Sequence, residues 1–212
     1  MWPYFWKKGL ADLSRARLEG VDFRNRDLRH VIFYHANLQG ANFLQAKLQG
    51  CDFTEANLSQ ASLYEARASW VILFRANLQK AELIKTDITG AGMVEVNLSE
   101  ASLLGARISG ADIRYANLEG ARVEGCDLSG VNLAGANLSE AVLKSTNLAG
   151  SVYNNETVWP KDFEPEAAGA TLFEQSGSKT AMAEAGLAWI WGEKSAAVNE
   201  AERDRQLELP GV

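Results

Sequence analysis

Large apolar residues recur at every fifth position, from Leu13 through Leu18, Phe23 and Leu28 to Tyr153, and only Ala68 among them is small. Two residues before each stands a second inward candidate, usually small: Ala36, Ala41, Ala46, Cys51 and Ala56 are consecutive examples. Neither regular structure satisfies a period of five. On an α-helix, five residues advance by about 500°, so successive centres drift around the axis. On a strand, an odd period alternates faces. The chain must therefore turn within every five residues. The small residue and the centre lie two apart, so they share one face of a short extended piece. The next two residues make the corner.

A longer period sets how many corners close a coil. Asn precedes the centre at Asn37, Asn57, Asn77, Asn97, Asn117 and Asn137, at intervals of 20. The column ten residues away reads Asp27, Lys47, Arg67, Asp87, Arg107, Asp127 and Asn147. Four pentapeptides per coil is the simplest solution, with the asparagines stacked as a ladder. At about 4.8 Å per coil, about seven coils span roughly 34 Å. Gly50, Gly90, Gly110, Gly130 and Gly150 occupy the second corner position of one column. A positive φ explains glycine there. The neighbouring columns hold fewer glycines, so the four corners are expected to differ in turn type.

The string A-(D/N)-L-x-x, as in Ala136–Glu140 and Ala111–Tyr115, resembles the pentapeptide-repeat family from residue 11 to about 153. The resemblance implies a right-handed quadrilateral parallel β-helix, an all-β solenoid. It implies little about activity. Residues 152–170 look like the C-terminal cap of many cyanobacterial and plastid members, which suggests a cyanobacterial source.

The expected organisation is an aromatic cap over 1–10, the β-helix over 11–153, an irregular cap over 154–177 and a helical segment with a tail over 178–212. Solenoid ends expose core and strand edges, so atypical capping segments are expected. Trp2, Tyr4, Phe5 and Trp6 suit an apolar lid, or a membrane-interface segment beside Lys7 and Lys8. Arg26 takes an inward position, tolerable only in an open first coil. Trp159, Phe163 and Phe173 with Pro160 and Pro165 read as the second lid. Ser178 can cap a helix over 178–192. Its Met182, Trp189, Ile190 and Trp191 would cover the last coil or a second subunit.

Composition narrows the function classes. The 212 residues are 47% hydrophobic and 23% charged, with a net charge of −6. Residues 11–150 hold 14 Lys/Arg and 16 Asp/Glu, a net of −2, while residues 151–212 hold 5 and 11, a net of −6. No basic run suggests direct nucleic-acid binding. No run of about 18 apolar residues suggests a membrane span, and the first residues do not read as a secretory signal. A cytoplasmic location is the expectation.

Candidate chemistry is sparse. His30 and His35 both fall at corners, five apart as the repeat dictates. Cys51 and Cys126 take inward small positions about 18 Å apart along the axis, beyond the reach of a disulfide. Asn57-Leu-Ser59, Asn97-Leu-Ser99 and Asn137-Leu-Ser139 match a glycosylation pattern as by-products of the repeat. No phosphate loop, nucleophile elbow or metal-ligand spacing is present, so no catalytic residue and no cofactor is expected.

The informative residues are outward apolar ones. Leu44, Tyr64, Ile84 and Leu104 follow the centre on four consecutive coils. Tyr34, Phe74 and Val94 occupy the equivalent place opposite, and Trp70 stands at a corner close to Ile72 and Phe74. Such patches mark interaction surfaces. The expected function is a non-enzymatic binding or scaffold module with a protein partner, a homodimer among them. The resemblance also admits a DNA-mimicking inhibitor of DNA gyrase, against which the near-neutral coils argue, and a peripheral membrane organiser.

Overall fold

The computed structural model describes residues 11–173. The segments 1–10 and 174–212, with the expected N-terminal lid and the helix bearing Met182, Trp189, Ile190 and Trp191, lie outside the described residues.

The outward residue of each short extended piece pairs in parallel with the residue 20 further on, without interruption from Asp12↔Ile32 to Asn132↔Val152. Each turn of the chain thus has four sides. Side 1 carries Asp12 and every twentieth residue after it, side 2 Arg17, side 3 Asp22 and side 4 Asp27. A parallel β-helix is the result. Its ladders are almost all single bridges, because corners leave only three residues per side. Among the described residues, runs of two paired residues occur only in β1, Val152–Tyr153, and β2, Thr171–Leu172, which pair in parallel.

The corners are uniform, which corrects the expectation drawn from the glycine column. Each centre carbonyl from Leu13 to Leu148 accepts the N–H three residues later, at 2.8–3.4 Å. Every second corner residue from Arg15 to Gly150 has φ between +53° and +70°. Positive φ at that place alone is the signature of a type II turn. Most of these residues are not glycine. A non-glycine residue in this region costs on the order of 1 kcal/mol, which the turn and inter-coil hydrogen bonds offset.

The core is the set of inward residues. Ala36, Leu38, Ala41, Phe43, Ala46 and Leu48 are all buried. Phe33 stacks on Phe53 with centroids 4.8 Å apart, and Phe23 stacks on Phe43 at 5.1 Å. Polar small residues fit the interior by donating to a carbonyl of the preceding coil. Thr86 Oγ1 donates to Leu63 O at 2.7 Å, and Cys51 Sγ to Leu28 O at 2.9 Å. Arg26, at an inward position of the first coil, is exposed.

The register shifts by one residue after Tyr153, since Asn137 pairs with Val158. The Asn154 side chain absorbs the shift. Its Oδ1 accepts the Gly135 N–H at 2.8 Å, in place of a backbone carbonyl. Trp159 then meets Tyr153 edge-on and stacks on Phe163, both at 5.3 Å. Trp159 and Phe163 pack against the core, and the Tyr153 hydroxyl donates to Glu166.

Candidate functional surface

The outward residues divide into ladders. On side 2, Asn57, Asn77 and Asn97 each donate Nδ2 to the Oδ1 of the Asn one coil earlier, at 3.1–3.2 Å. Each Oδ1 also accepts the N–H two residues on, as from Ser59 to Asn57 at 3.1 Å. Asn37 begins the row by donating to Glu19 at 2.6 Å. The asparagines therefore hold one another and the corner behind them.

Charged corner and side positions pair across coils with alternating sign. Arg75 meets Glu95 at 2.8 Å, Arg107 meets Asp87 at 2.9 Å and Lys80 meets Glu100 at 3.4 Å. Asp112 is buried beneath the Arg114 guanidinium at 2.7 Å. That hydrogen bond raises the Arg114 pKa above its already high ordinary value.

The two histidines lie apart in role. The His35 ring abuts Tyr34, and its Nε2 lies 3.0 Å from Glu55. The His30 ring lies over Gly50 on the next coil. Among the described residues, no group of three or more His, Cys, Asp or Glu could hold a metal ion, and no helix is long and apolar enough to cross a membrane.

The apolar candidates fall in two places. Trp70, Ile72 and Phe74 cross side 1 from corner to corner, with Trp70 53% exposed and the other two half-buried. The Arg75 guanidinium lies 4.7 Å from the Phe74 ring centroid. Leu44, Tyr64, Ile84 and Leu104 form one column at the corner between sides 3 and 4, and all four are half-buried. The backbone fixes their stacking: Tyr64 O accepts the Gln45 N–H at 2.9 Å, and Ile84 O accepts the Glu65 N–H at 3.0 Å. Tyr115, 51% exposed, escaped the sequence reading. Its ring lies over Gly135, as Trp70 lies over Gly90. The signal was an aromatic corner residue with glycine 20 positions later.

The family model for pentapeptide repeats matches residues 11–50, 51–90, 91–130 and 124–151. No curated protein matches the chain. Among solved structures, HetL from the cyanobacterium Nostoc sp. strain PCC 7120, involved in heterocyst differentiation regulation, is 22% identical. The match covers 80% of this chain and 94% of HetL, with a TM-score of 0.48. A pentapeptide repeat protein from the cyanobacterium Cyanothece 51142 is 35% identical over 51% of this chain and 63% of its own, with a TM-score of 0.32. The plasmid-mediated fluoroquinolone resistance protein QnrB1 is 18% identical over 84% of this chain and 96% of its own, with a TM-score of 0.35.

Proposed function

Because this chain belongs to the pentapeptide repeat family, we propose that it is a non-enzymatic binding or scaffold module presenting a rigid β-helical surface to a protein partner. The 20-residue register gives about seven coils over residues 11–153, some 34 Å of continuous surface. The observation that carries the reading is Trp70, about half exposed and aligned with Ile72 and Phe74 across one side. Among the described residues, Trp70 is the most exposed of the large apolar side chains. An aromatic anchor at the centre of an exposed apolar patch is what dominates protein interfaces.

Charge supports a protein partner over mimicry of DNA. A mimic needs continuous negative rows, whereas two of the charged rows here alternate in sign and pair internally, as Arg75 with Glu95 and Arg107 with Asp87.

The test is affinity purification from the native host with the wild type and with Ile72→Asp and Phe74→Glu. Proteins retained by the wild type and lost with both variants, at unchanged circular dichroism, support the reading. An identical retained set for all three overturns it.

A further inference from the structure

The Leu44–Leu104 column has a symmetry that a one-sided binding surface does not need. Read in order along the axis, the column at the corner between sides 3 and 4 runs Arg24, Leu44, Tyr64, Ile84, Leu104, Glu124 and Lys144 among the described residues. A two-fold axis across the column, midway between Tyr64 and Ile84, would set Leu44 on Leu104 and Tyr64 on Ile84. The same axis sets Arg24 on Glu124. Four apolar residues are thus closed at each end by opposite charges.

The two flanking columns obey the same axis. On side 3, Asp22 would face Arg122, and Ser62 would face Glu82. On the other flank, Glu65 would face Lys85. Within the chain, Asp22 already binds Arg24 at 2.7 Å and Arg122 binds Glu124 at 3.0 Å. Each end would therefore close as a ring of four alternating charges. Arg24, Asp22 and Arg122 are each more than half exposed, and Lys85 more so. They can reorient toward a partner at little desolvation.

The pattern is not a trivial product of the repeat. On side 4 the same operation opposes like charges at two of three pairs, Asp27 on Asp127 and Lys47 on Arg107, and opposite charges only at Arg67 on Asp87. A parallel pairing of the column fails as well, because it sets Arg24 on Arg24 and Glu124 on Glu124. Only the antiparallel arrangement matches both the apolar row and the charges, and it requires an identical surface on the other side.

We propose that this column is a self-complementary interface through which two copies of the chain pair side by side and antiparallel. The proposal deepens the binding reading by naming one partner, a second copy, and it uses a surface separate from the Trp70 patch. From Arg24 to Glu124 the row spans five inter-coil steps, about 24 Å. A footprint one side wide and of that length lies below the standard size of about 800 Å² per partner. A contact of that size belongs with weak, transient interfaces.

The test is sedimentation equilibrium of the full chain from about 1 to 200 µM, for the wild type, Glu65→Lys and Lys85→Glu. The wild type should pass from one chain to two over this range. Each variant alone opposes like charges at the centre, two ammonium groups in Glu65→Lys and two carboxylates in Lys85→Glu. Each should dimerise at least about tenfold more weakly. An equimolar mixture of the two variants restores opposite charges across the interface and should recover the dimer. Recovery on mixing cannot come from the intrachain Lys85–Glu65 pair at 3.9 Å, which each variant lacks in any mixture. A wild type that stays a single chain at the highest concentration overturns the proposal, as do variants that dimerise like the wild type or a mixture that fails to recover. None of these outcomes touches the Trp70 patch, whose failure is read by the purification with Ile72→Asp and Phe74→Glu.

Discussion

The indole of Trp70 lies across the corner glycine of the next coil, Gly90, so closely that a Cβ there would stand 2.5 Å from its Cζ3. Gly90 also has φ +67°. Gly90→Ala therefore meets two penalties, backbone strain and displacement of the ring. Gly110 has φ +65° with nothing within 4 Å of its Cβ position, so Gly110→Ala meets only the first. We expect Gly110→Ala to cost about 1 kcal/mol and Gly90→Ala about 2–3 kcal/mol. In a Trp70→Ala background the two should converge. Denaturant melts of the two glycine variants, of Trp70→Ala and of the two double variants supply the double-mutant cycles, and equal costs in both backgrounds would show that the ring does not bear on Gly90.

The asparagine ladder has a direction, because each Nδ2 donates toward the N-terminal coil. Asn77 donates to Asn57 at 3.2 Å and accepts from Asn97 at 3.1 Å. An aspartate can begin such a ladder, as Asp127 does by accepting from Asn147 at 3.0 Å. It cannot stand in the middle, where it must also donate. Asn77→Asp should lose about 1–3 kcal/mol at neutral pH. Protonation restores a donor, so the folded-state pKa of the new carboxyl is raised. The stability that its protonated form contributes is present below the unfolded pKa of about 4 and is lost as pH rises through the folded value. The melting-temperature deficit against wild type should be small at about pH 3 and full at about pH 7. A deficit independent of pH would refute the directional ladder.

The fold was legible because the repeat states it twice. The pair Ala36 and Leu38 defines one side, and the 20-residue recurrence of Asn37 defines the coil. The corners were less legible. Left-handed φ is reachable by most residues at about 1 kcal/mol, so Lys80 and Glu100 adopt it as Gly90 does. Counting glycines therefore suggested differences that are absent. The break at Asn154 was hidden because a side-chain oxygen replaces a backbone one there. The surface was partly legible: Leu44 and Tyr64 were visible as departures from the polar pattern. Their half-burial depends on the coils above and below, which no single pentapeptide records.

Cys51 and Cys126 are buried, and burial pushes their thiols up to about 12 and about 11. Each Sγ donates to a carbonyl of the preceding coil, Leu28 O at 2.9 Å and Leu103 O at 2.7 Å. Reactivity belongs to the thiolate. At about pH 8 neither cysteine should react with a thiol reagent in the folded protein, and both should react in denaturant. The raised values stabilise the fold below the ordinary thiol pKa, and that stability is lost as pH climbs through about 11. Rapid labelling of either thiol at that mildly alkaline pH without denaturant would contradict the buried placement.

Phe33 is fully buried, stacked on Phe53 with planes 1° apart and edge-on to Phe23 and Phe43 at 6.1 and 6.3 Å. Two coils on, its column holds Leu73, so a leucine fits the same inward slot. Phe33→Ala leaves a void between coils that cannot close, because the bridges Ile32↔Asp52 and Asp12↔Ile32 hold the spacing. It should cost about 3–5 kcal/mol, and Phe33→Leu about 1–2 kcal/mol. Leu13, in the same column of the first described coil, is only half-buried, so Leu13→Ala should cost less than Phe33→Ala by at least about 1 kcal/mol. Chemical denaturation of the three variants gives the order. A Leu13→Ala cost equal to that of Phe33→Ala would mean that the first coil is as tightly held as the interior ones.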